Sequence, residues 1–582
     1  MNIFTNVRYR WAALGLPAAL LLLVLAGRPA AAQDDPTLTP EAAGGATVEP
    51  TVTPTFAPPG DIRFGVIESF EDPAAAARLG AAWTRARFQW ADVQPDGPDD
   101  WEPPLDDEAL AAELAAGREV VGLLIGIPAW ARDRGGLPRG LSLPLDDPDN
   151  TWAVFVAHVV SRYAGRIDRW IIWNEPDIDD RDAPGHTWDG TIEEFVQLQR
   201  AAYLTAKSAN PDAIVHLGAF TYFWDPDYFA RFLDEVAADP DATDHNYYFD
   251  VATAHLYFQP NAVYNILYAF RRVMDDYGLE QPIWLVETNA PPMNDPYWQV
   301  DNWTLSVTLN EQAAYIPQAI AAAFAAGAER VSVYKLKDTE GDRAANPEPF
   351  GLIRWDNSRR PAFDTYRVAI GLLGGVTAAT RERWDAVAQI RLQQDGQSTT
   401  VLFARLPGAQ KALVAATAET AELVDMWGKR ETIETEDGQF VVELPGALCL
   451  QTIADYCMIG GTTYYLIQED DGQRQENSPP ALEEGDSRPA ENATVLVLSP
   501  TARPTATMRP TATPTRAPTA TEPPTAIPAA TDLPPHTPAP MLDGGLVTDA
   551  KSNNQGLVML GLGVALGVAL AAWWLFNRHG AA

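Results

Sequence analysis

The sequence predicts an α/β protein. Its centre is a (β/α)8 TIM barrel, followed by a small C-terminal antiparallel β domain, with disordered linkers on both sides and a C-terminal transmembrane helix. Three observations carry that expectation. Eight short apolar runs alternate with helix-periodic stretches over about 310 residues, the rhythm and length of a parallel barrel. Two of those runs end on a glutamate, one at Trp170-Ile171-Ile172-Trp173-Asn174-Glu175-Pro176 and one at Ile283-Trp284-Leu285-Val286-Glu287. After Gly374-Gly375 the texture changes to period-two alternation broken by Asp-Gly turns.

Taken in order, residues 1–32 read as a secretory signal peptide. Arg8 and Arg10 precede the apolar run Trp11 to Gly27, and the small-residue site Pro29-Ala30-Ala31-Ala32 follows; an uncleaved anchor is the alternative. Residues 33–58 are rich in Pro, Thr, Ala and Glu without apolar periodicity, so they form a linker rather than a core. The barrel is assigned to 59–372, with strands expected at 62–69, 83–88, 120–127, 170–174, 213–219, 251–256, 283–287 and 330–336. Helices are expected between them at 151–163, 191–208 and 311–326, where apolar residues recur three and four apart. Residues 373–469 are the β domain, with strand signals at 388–392, 399–404, 412–416, 422–426 and 440–444 and turns at Asp395-Gly396 and Asp437-Gly438.

Residues 470–548 return to Pro-Thr repeats, a semi-extended stalk. The final segment, 549–582, holds 21 uncharged residues from Gly556 to Phe576, long enough as a helix to span a bilayer, with Trp573 and Trp574 at its interface end and Arg578 beyond. This order places the folded region at the cell surface, outside the membrane and tethered through one C-terminal helix.

Composition narrows the partners. Lys and Arg total 42 against 78 Asp and Glu, a formal net charge of -36 that repels nucleic acid. The 18 Trp and 18 Tyr supply flat faces that suit sugar rings, although a core role accounts for many of them equally well. Cys449 and Cys457 fit either a local disulfide or two buried thiols. No metal site or cofactor is expected, because none of the seven histidines falls in a ligand pattern such as HExxH.

The chemistry lies in the paired glutamates. Four apolar residues in a row fit a strand covered on both faces, and Pro176 stops the ladder because it lacks an N–H. Glu175 and Glu287 would then stand at the C-terminal ends of strands four and seven, where barrels place their catalytic groups. Two carboxylates facing one mouth are the minimum equipment for cleaving a glycosidic bond. Pro291-Pro292 delays any helix that Glu287 would otherwise cap.

These residues resemble the clan A glycoside hydrolases, such as families 39 and 5, from about Arg63 to Leu372. Trp173-Asn174-Glu175-Pro176 closes strand four as it does in that clan, and an apolar strand ends on Glu287 at strand seven. Ala82-Trp83-Thr84-Arg85 resembles strand two, Ala254-His255-Leu256-Tyr257 strand six, and Phe350-Gly351-Leu352-Ile353 with Arg360-Pro361-Ala362-Phe363 the closing segment. The resemblance implies a retaining glycosidase acting on O-glycosidic, β-linked carbohydrate. Glu175 would be acid/base and Glu287 nucleophile; Asn174 would bind the 2-hydroxyl, Arg85 support the nucleophile and Tyr257 hydrogen-bond it. Many clan members carry tryptophan at the end of strand eight, where this chain has Tyr334, a further substrate-binding candidate.

Each assignment has a plainer rival. Arg85 competes with Arg87, two residues further along the same strand, and with a structural ion-pair role. His255 is either a core imidazole or a substrate contact, and Trp130 and Trp173 are sugar platforms or core. The acidic run Asp177 to Asp182 reads as a solvated loop, a calcium site being the rival without EF-hand spacing. The competing function for the whole chain is a non-catalytic carbohydrate-binding or adhesion protein on the same barrel.

Overall fold

The computed structural model describes residues 60–470, apart from 184, 301–304, 306, 346 and 347. The expected signal peptide, first linker, stalk and membrane helix lie outside the described residues. Among those described, no helix is long and apolar enough to cross a membrane.

Eight strands form one parallel sheet: β1 (Phe64–Val66), β2 (Trp83–Gln89), β3 (Glu119–Ile125), β4 (Arg169–Ile172), β5 (Ile214–His216), β6 (Ala252–His255), β7 (Ile283–Thr288) and β8 (Ala328–Val333). Their order is β5-β4-β3-β2-β1-β8-β7-β6. The bridges His216–Val251 and Phe220–Ala254 join the two ends, closing the sheet into a barrel. Every predicted run overlaps one of these strands, with ends that differ by up to three residues. The difference matters at β4, which stops at Ile172, so Asn174 and Glu175 project beyond the strand instead of ending it.

Local sequence explains the elements. The helices Ile192–Ala209 and Leu309–Ala325 both open with a capping box, Thr191 with Glu194 and Thr308 with Glu311, each pair satisfying two otherwise orphaned N–H groups. Barrel closure needs small residues where large indoles cross the interior. A Cβ at Gly65 would collide with the Trp83 ring and one at Gly122 with the Trp170 ring. Both indoles are fully buried. His216 lies edge-on to Trp284 with no hydrogen-bond partner among the described residues. Burial, with Arg169 and Arg330 nearby, holds it well below the usual imidazole range, so it packs as a neutral core ring.

Ten further strands follow the helix Pro361–Leu373: β9 (Ala378–Trp384), β10 (Val387–Gln394), β11 (Gln397–Ala404), β12 (Gln410–Ala415), β13 (Thr420–Asp425), β14 (Arg430–Glu434), β15 (Gln439–Leu444), β16 (Thr452–Ile453), β17 (Tyr456–Cys457) and β18 (Tyr464–Glu469). The main antiparallel sheet runs β14-β13-β18-β11-β10-β9, and β12 pairs with β15 apart from it. Alternation along β11 sorts its residues by face. Val401 and Phe403 join the barrel's hydrophobic core, while Leu402 and Ala404 join a second core with Phe440, Val442 and Leu444 of β15.

The barrel and this sheet therefore share one continuous apolar interior. Polar ties reinforce it: the buried Gln318 amide donates to the Gly461 carbonyl at 2.9 Å and accepts from the Gly460 N–H at 3.0 Å. Between the two readings of the cysteines, the structure has the disulfide Cys449–Cys457, which straps the short β16–β17 hairpin.

Candidate active site

Beyond Ile172 the backbone turns sharply. Trp173 and Glu175 both adopt positive φ, 74° and 49°, a conformation that side chains with a Cβ adopt only at a cost. Hydrogen bonds hold it: Trp173 N–H donates to the Leu124 carbonyl and Glu175 N–H to the Ala219 carbonyl, each at 2.9 Å. The Trp173 indole donates to Thr187 Oγ1 at 3.1 Å, and that hydroxyl donates to the Asn174 carbonyl. Glu175 is thereby pushed into the mouth with its side chain 17% exposed. The Asn174 side-chain amide has no hydrogen-bond partner among the described residues.

Glu287 is built differently. It is the next-to-last residue of β7, every residue of which is buried, and its side chain is 8% exposed. Arg85 Nη2 pairs with one carboxylate oxygen, and the Tyr257 hydroxyl donates to the other. Burial alone would raise its pKa, but Arg85, His255 and Tyr257 outweigh that and hold it down to about 2. Burial beside Glu287 and Glu175 pushes Tyr257 well above the usual phenol range, so it remains a donor.

His255 joins the two carboxylates. Its Nδ1 lies 2.8 Å from Glu175 Oε1 and 3.5 Å from Glu287 Oε2, and Arg85 Nη1 faces its Nε2 at 3.5 Å. A guanidinium can only donate, so this arrangement fits the tautomer with hydrogen on Nδ1, directed at Glu175. One oxygen of each glutamate and this nitrogen lie within 4.8 Å of one another. The same three groups could in principle ligate a cation, but Arg85 and Tyr257 already take the Glu287 oxygens, which makes the cluster a hydrogen-bonded pair of carboxylates.

The structure thus brings Glu175, Glu287, Asn174, Arg85, His255 and Tyr257 together at one mouth. Height along the strand decides between the two arginines: Arg85 is level with Glu287 and pairs with it, whereas Arg87, on the same face, stands exposed further along β2. Tyr334 belongs to the same wall. It follows β8, its ring lies edge-on to Phe350 at 5.3 Å, and burial, with Glu68 and Glu287 near, raises its phenol above the usual range. Trp130 is placed otherwise. Its indole N–H is spent on the Gln94 carbonyl at 2.7 Å and its ring packs edge-on to Trp90, so no contact joins it to the carboxylates.

Two groups were not singled out from the sequence. Asp177, assigned with its acidic neighbours to a solvated loop, is 1% exposed, and Ile178 beside it is buried as well. The correction has a physical cause: Asp177 Oδ2 accepts from Thr221 N–H, Thr221 Oγ1 and Tyr222 N–H at 2.8–2.9 Å, pinning the loop after β5 to the end of β4. Asn289, two residues past Glu287, is fully buried and donates to the Tyr334 and Phe350 carbonyls at 2.6 and 2.7 Å. An Asn closing an apolar strand is the signal that could have found it.

No protein-family model matches the chain, and no curated protein is similar to it. Solved structures do match. A family 39 glycoside hydrolase from the gut symbiont Bacteroides cellulosilyticus WH2 is 17% identical, covering 70% of this chain and 80% of its own, with a TM-score of 0.52. A glucosidase from Croceicoccus marinus (14% identical, 68% of this chain, 91% of its own) and a GH30 endoxylanase from Clostridium papyrosolvens C71 (13%, 72% and 98%) both have TM-scores of 0.46. At such identities it is the backbone that is shared: this chain has the barrel fold of the family 39 enzyme.

Proposed function

We propose that the chain is a retaining glycoside hydrolase acting on β-linked O-glycosidic bonds of extracellular oligo- or polysaccharides. The observation that carries the reading is the pair of carboxylates, Glu175 and Glu287, with oxygens within 4.8 Å at the ends of β4 and β7. Retaining enzymes hold their carboxyl groups about 5 Å apart so that one can attack the anomeric carbon directly, whereas inverting enzymes leave room for a water.

The two environments suit separate roles. Glu287, kept ionised by Arg85 and Tyr257, attacks the anomeric carbon and forms a glycosyl ester. Glu175, more open to the mouth, donates a proton to the leaving oxygen, then takes one from the water that cleaves the ester. His255 Nδ1–H orients Glu175, and the unpartnered Asn174 amide is free to hold a sugar hydroxyl. Each step uses only protein carboxylates, the sugar and water.

The test is the configuration of the first product by proton NMR on an aryl β-glycoside. Retention supports the mechanism, and inversion overturns it. Sugar binding without any turnover would favour the binding-protein alternative. We also propose that residues 556–576 anchor the enzyme with its barrel outside the cell. Protease added to intact cells should then release the barrel, and its protection would overturn that placement.

A further inference from the structure

Beside the carboxylates, on the β2–β3–β4 side of the mouth, lies a cavity of about 310 Å³ walled in part by Arg87, Gln89, Arg132, Trp173, His186 and Asp189. That volume is at the small end of ligand pockets, room for about one sugar ring or its substituent. The cavity is tied to the catalytic pair through two elements. Arg85, Arg87 and Gln89 share one face of β2, so the strand that holds Glu287 through Arg85 carries Arg87 onward to the cavity. Trp173 precedes Asn174 and Glu175, and Thr187 on the wall hydrogen-bonds the Asn174 carbonyl.

The charge in this cavity runs against that of the chain. Acidic residues outnumber basic ones 78 to 42, yet neither Arg87 nor Arg132 has a carboxylate within ion-pair distance among the described residues. Arg87 Nε donates to Gln89 Oε1 at 3.2 Å and Arg132 Nη2 to the Ile127 carbonyl at 2.8 Å. These contacts are neutral and leave most of each guanidinium fork unused. Asp189, the one acid of the wall, has its Oδ1 3.4 Å from both Arg181 and His186. Arg134 and Arg139, on the loop that follows Arg132, likewise have no acidic partner among the described residues. Like charges gathered without counter-charge repel one another, and a bound anion removes that cost while filling the forks bidentately.

We propose that this cavity is a subsite for an anionic substituent of the saccharide, a uronate carboxylate or a sulfate ester, adjoining the bond that Glu175 and Glu287 cleave. The inference rests on the glycosidase reading and names its substrate class: acidic glycans in preference to neutral ones. Arg87 supplies the free fork, and Arg132 and His186 close the far wall. Gln89 keeps Arg87 in register. The excess negative charge elsewhere opposes nonspecific uptake of anions, so binding here has to come from the cavity itself.

Calorimetry on the full-length Glu175→Gln chain, expected to cleave oligosaccharides with poor leaving groups about 10²–10⁴-fold more slowly than the parent, separates binding from catalysis. Three oligosaccharides of one backbone are compared: uronate-bearing, sulfated and neutral. At least one acidic ligand is expected to bind tenfold or more tightly than the neutral one, and the ranking of the two identifies the substituent. Adding Arg87→Gln is expected to erase most of that preference while leaving neutral binding within about twofold, with Arg87→Lys in between. Equal affinity for all three ligands, no saccharide binding at all, or a preference unchanged by Arg87→Gln would overturn the subsite. Hydrolysis of neutral aryl glycosides by the parent chain stands apart: were it present without acidic preference, the subsite would fail and the glycosidase reading stand. Acidic binding with no hydrolysis would give the reverse.

Discussion

The two carboxylates at the mouth are set by different kinds of structure. Glu287 is inside a strand whose neighbours on both sides are paired, and three polar groups, from β2, β6 and the segment just past β6, converge on it. Glu175 is carried past its strand by two residues of positive φ, has one side-chain partner, His255, and is faced by the loop at Gly185. A Cβ on Gly185 would sit 2.8 Å from Ile178 Cδ1 and 3.4 Å from Glu175 Oε2, so this loop passes within contact distance of the carboxylate. The difference teaches how one fold makes two carboxyl groups unequal: strands and buried charges hold one ionised, while loops leave the other reachable by substrate and solvent.

The strongest way to break this comparison is to exchange each carboxylate for its amide. Glu287→Gln removes the attacking group and should lower kcat by at least about 10⁴-fold on every substrate. Glu175→Gln should cost about 10²–10⁴-fold with a poor leaving group and far less with an activated phenol, which needs no proton. Steady-state rates across a series of aryl glycosides check both. A loss in Glu175→Gln that does not depend on the leaving group would show that the two groups had been given the wrong roles.

A smaller effect sharpens the electrostatic half. Tyr257→Phe removes one of the groups that hold Glu287 down, so its pKa should rise from about 2. Attack requires the ionised form, and the acid limb of kcat/KM should therefore move to higher pH, with about a tenfold loss at the optimum. The pH profiles of parent and variant decide this, and an unmoved acid limb would mean that Arg85 and His255 set the ionisation without Tyr257. The stability linkage has the usual carboxylate sign. The depressed pKa stabilises the fold above the unfolded value near 4.5, and that stability is lost as pH falls toward 2.

How much of this was legible follows from the range of each signal. Apolar runs and Pro176 act within a few residues, so the strands, three of the helices and both glutamates could be read directly, whereas the helix Pro260–Asp275 was not. The choice of Arg85 over Arg87 was not legible, because residues two apart share one face of a strand and only the height of Glu287 across the barrel decides which of them meets it. The cavity could not be read at all: Arg87, Arg132 and His186 come from three separate loops or strands and meet only through barrel closure. Within the β domain, strands such as β14 (burial mostly exposed) and β18 lay outside the strongest alternation, and pairing with β13 defines them. The placing of Trp130 was equally out of reach, since its N–H bonds a carbonyl in a neighbouring loop, a contact made across 36 residues.

Asp177 misled for the opposite reason, since a run of charges around it looked like solvent-facing loop, and its burial supplies the smallest but most pointed prediction. It stands on the Glu175 side of the mouth and is shifted in the direction opposite to Glu287. Burial raises it, and Glu175 nearby adds to this, against the hydrogen bonds from Thr221 and Tyr222, leaving it at about 7. The sign then reverses relative to Glu287. A carboxyl whose native pKa lies above its unfolded value near 3.8 binds more proton in the native state, so its contribution to stability falls as pH rises from about 4 to about 7. Asp177→Asn keeps an acceptor for the three donors and has no charge to bury. Against the parent, it should therefore be destabilised, or nearly neutral, at pH 5 and gain relative stability at pH 8, by roughly 1–3 kcal/mol between the two. Thermal melts of both proteins at the two pH values measure that difference of differences, in which the other titrating groups cancel. An unchanged difference would mean that Thr221 and Tyr222 keep Asp177 ionised throughout, making the Glu175 side as firmly charged as the Glu287 side and removing the contrast between them.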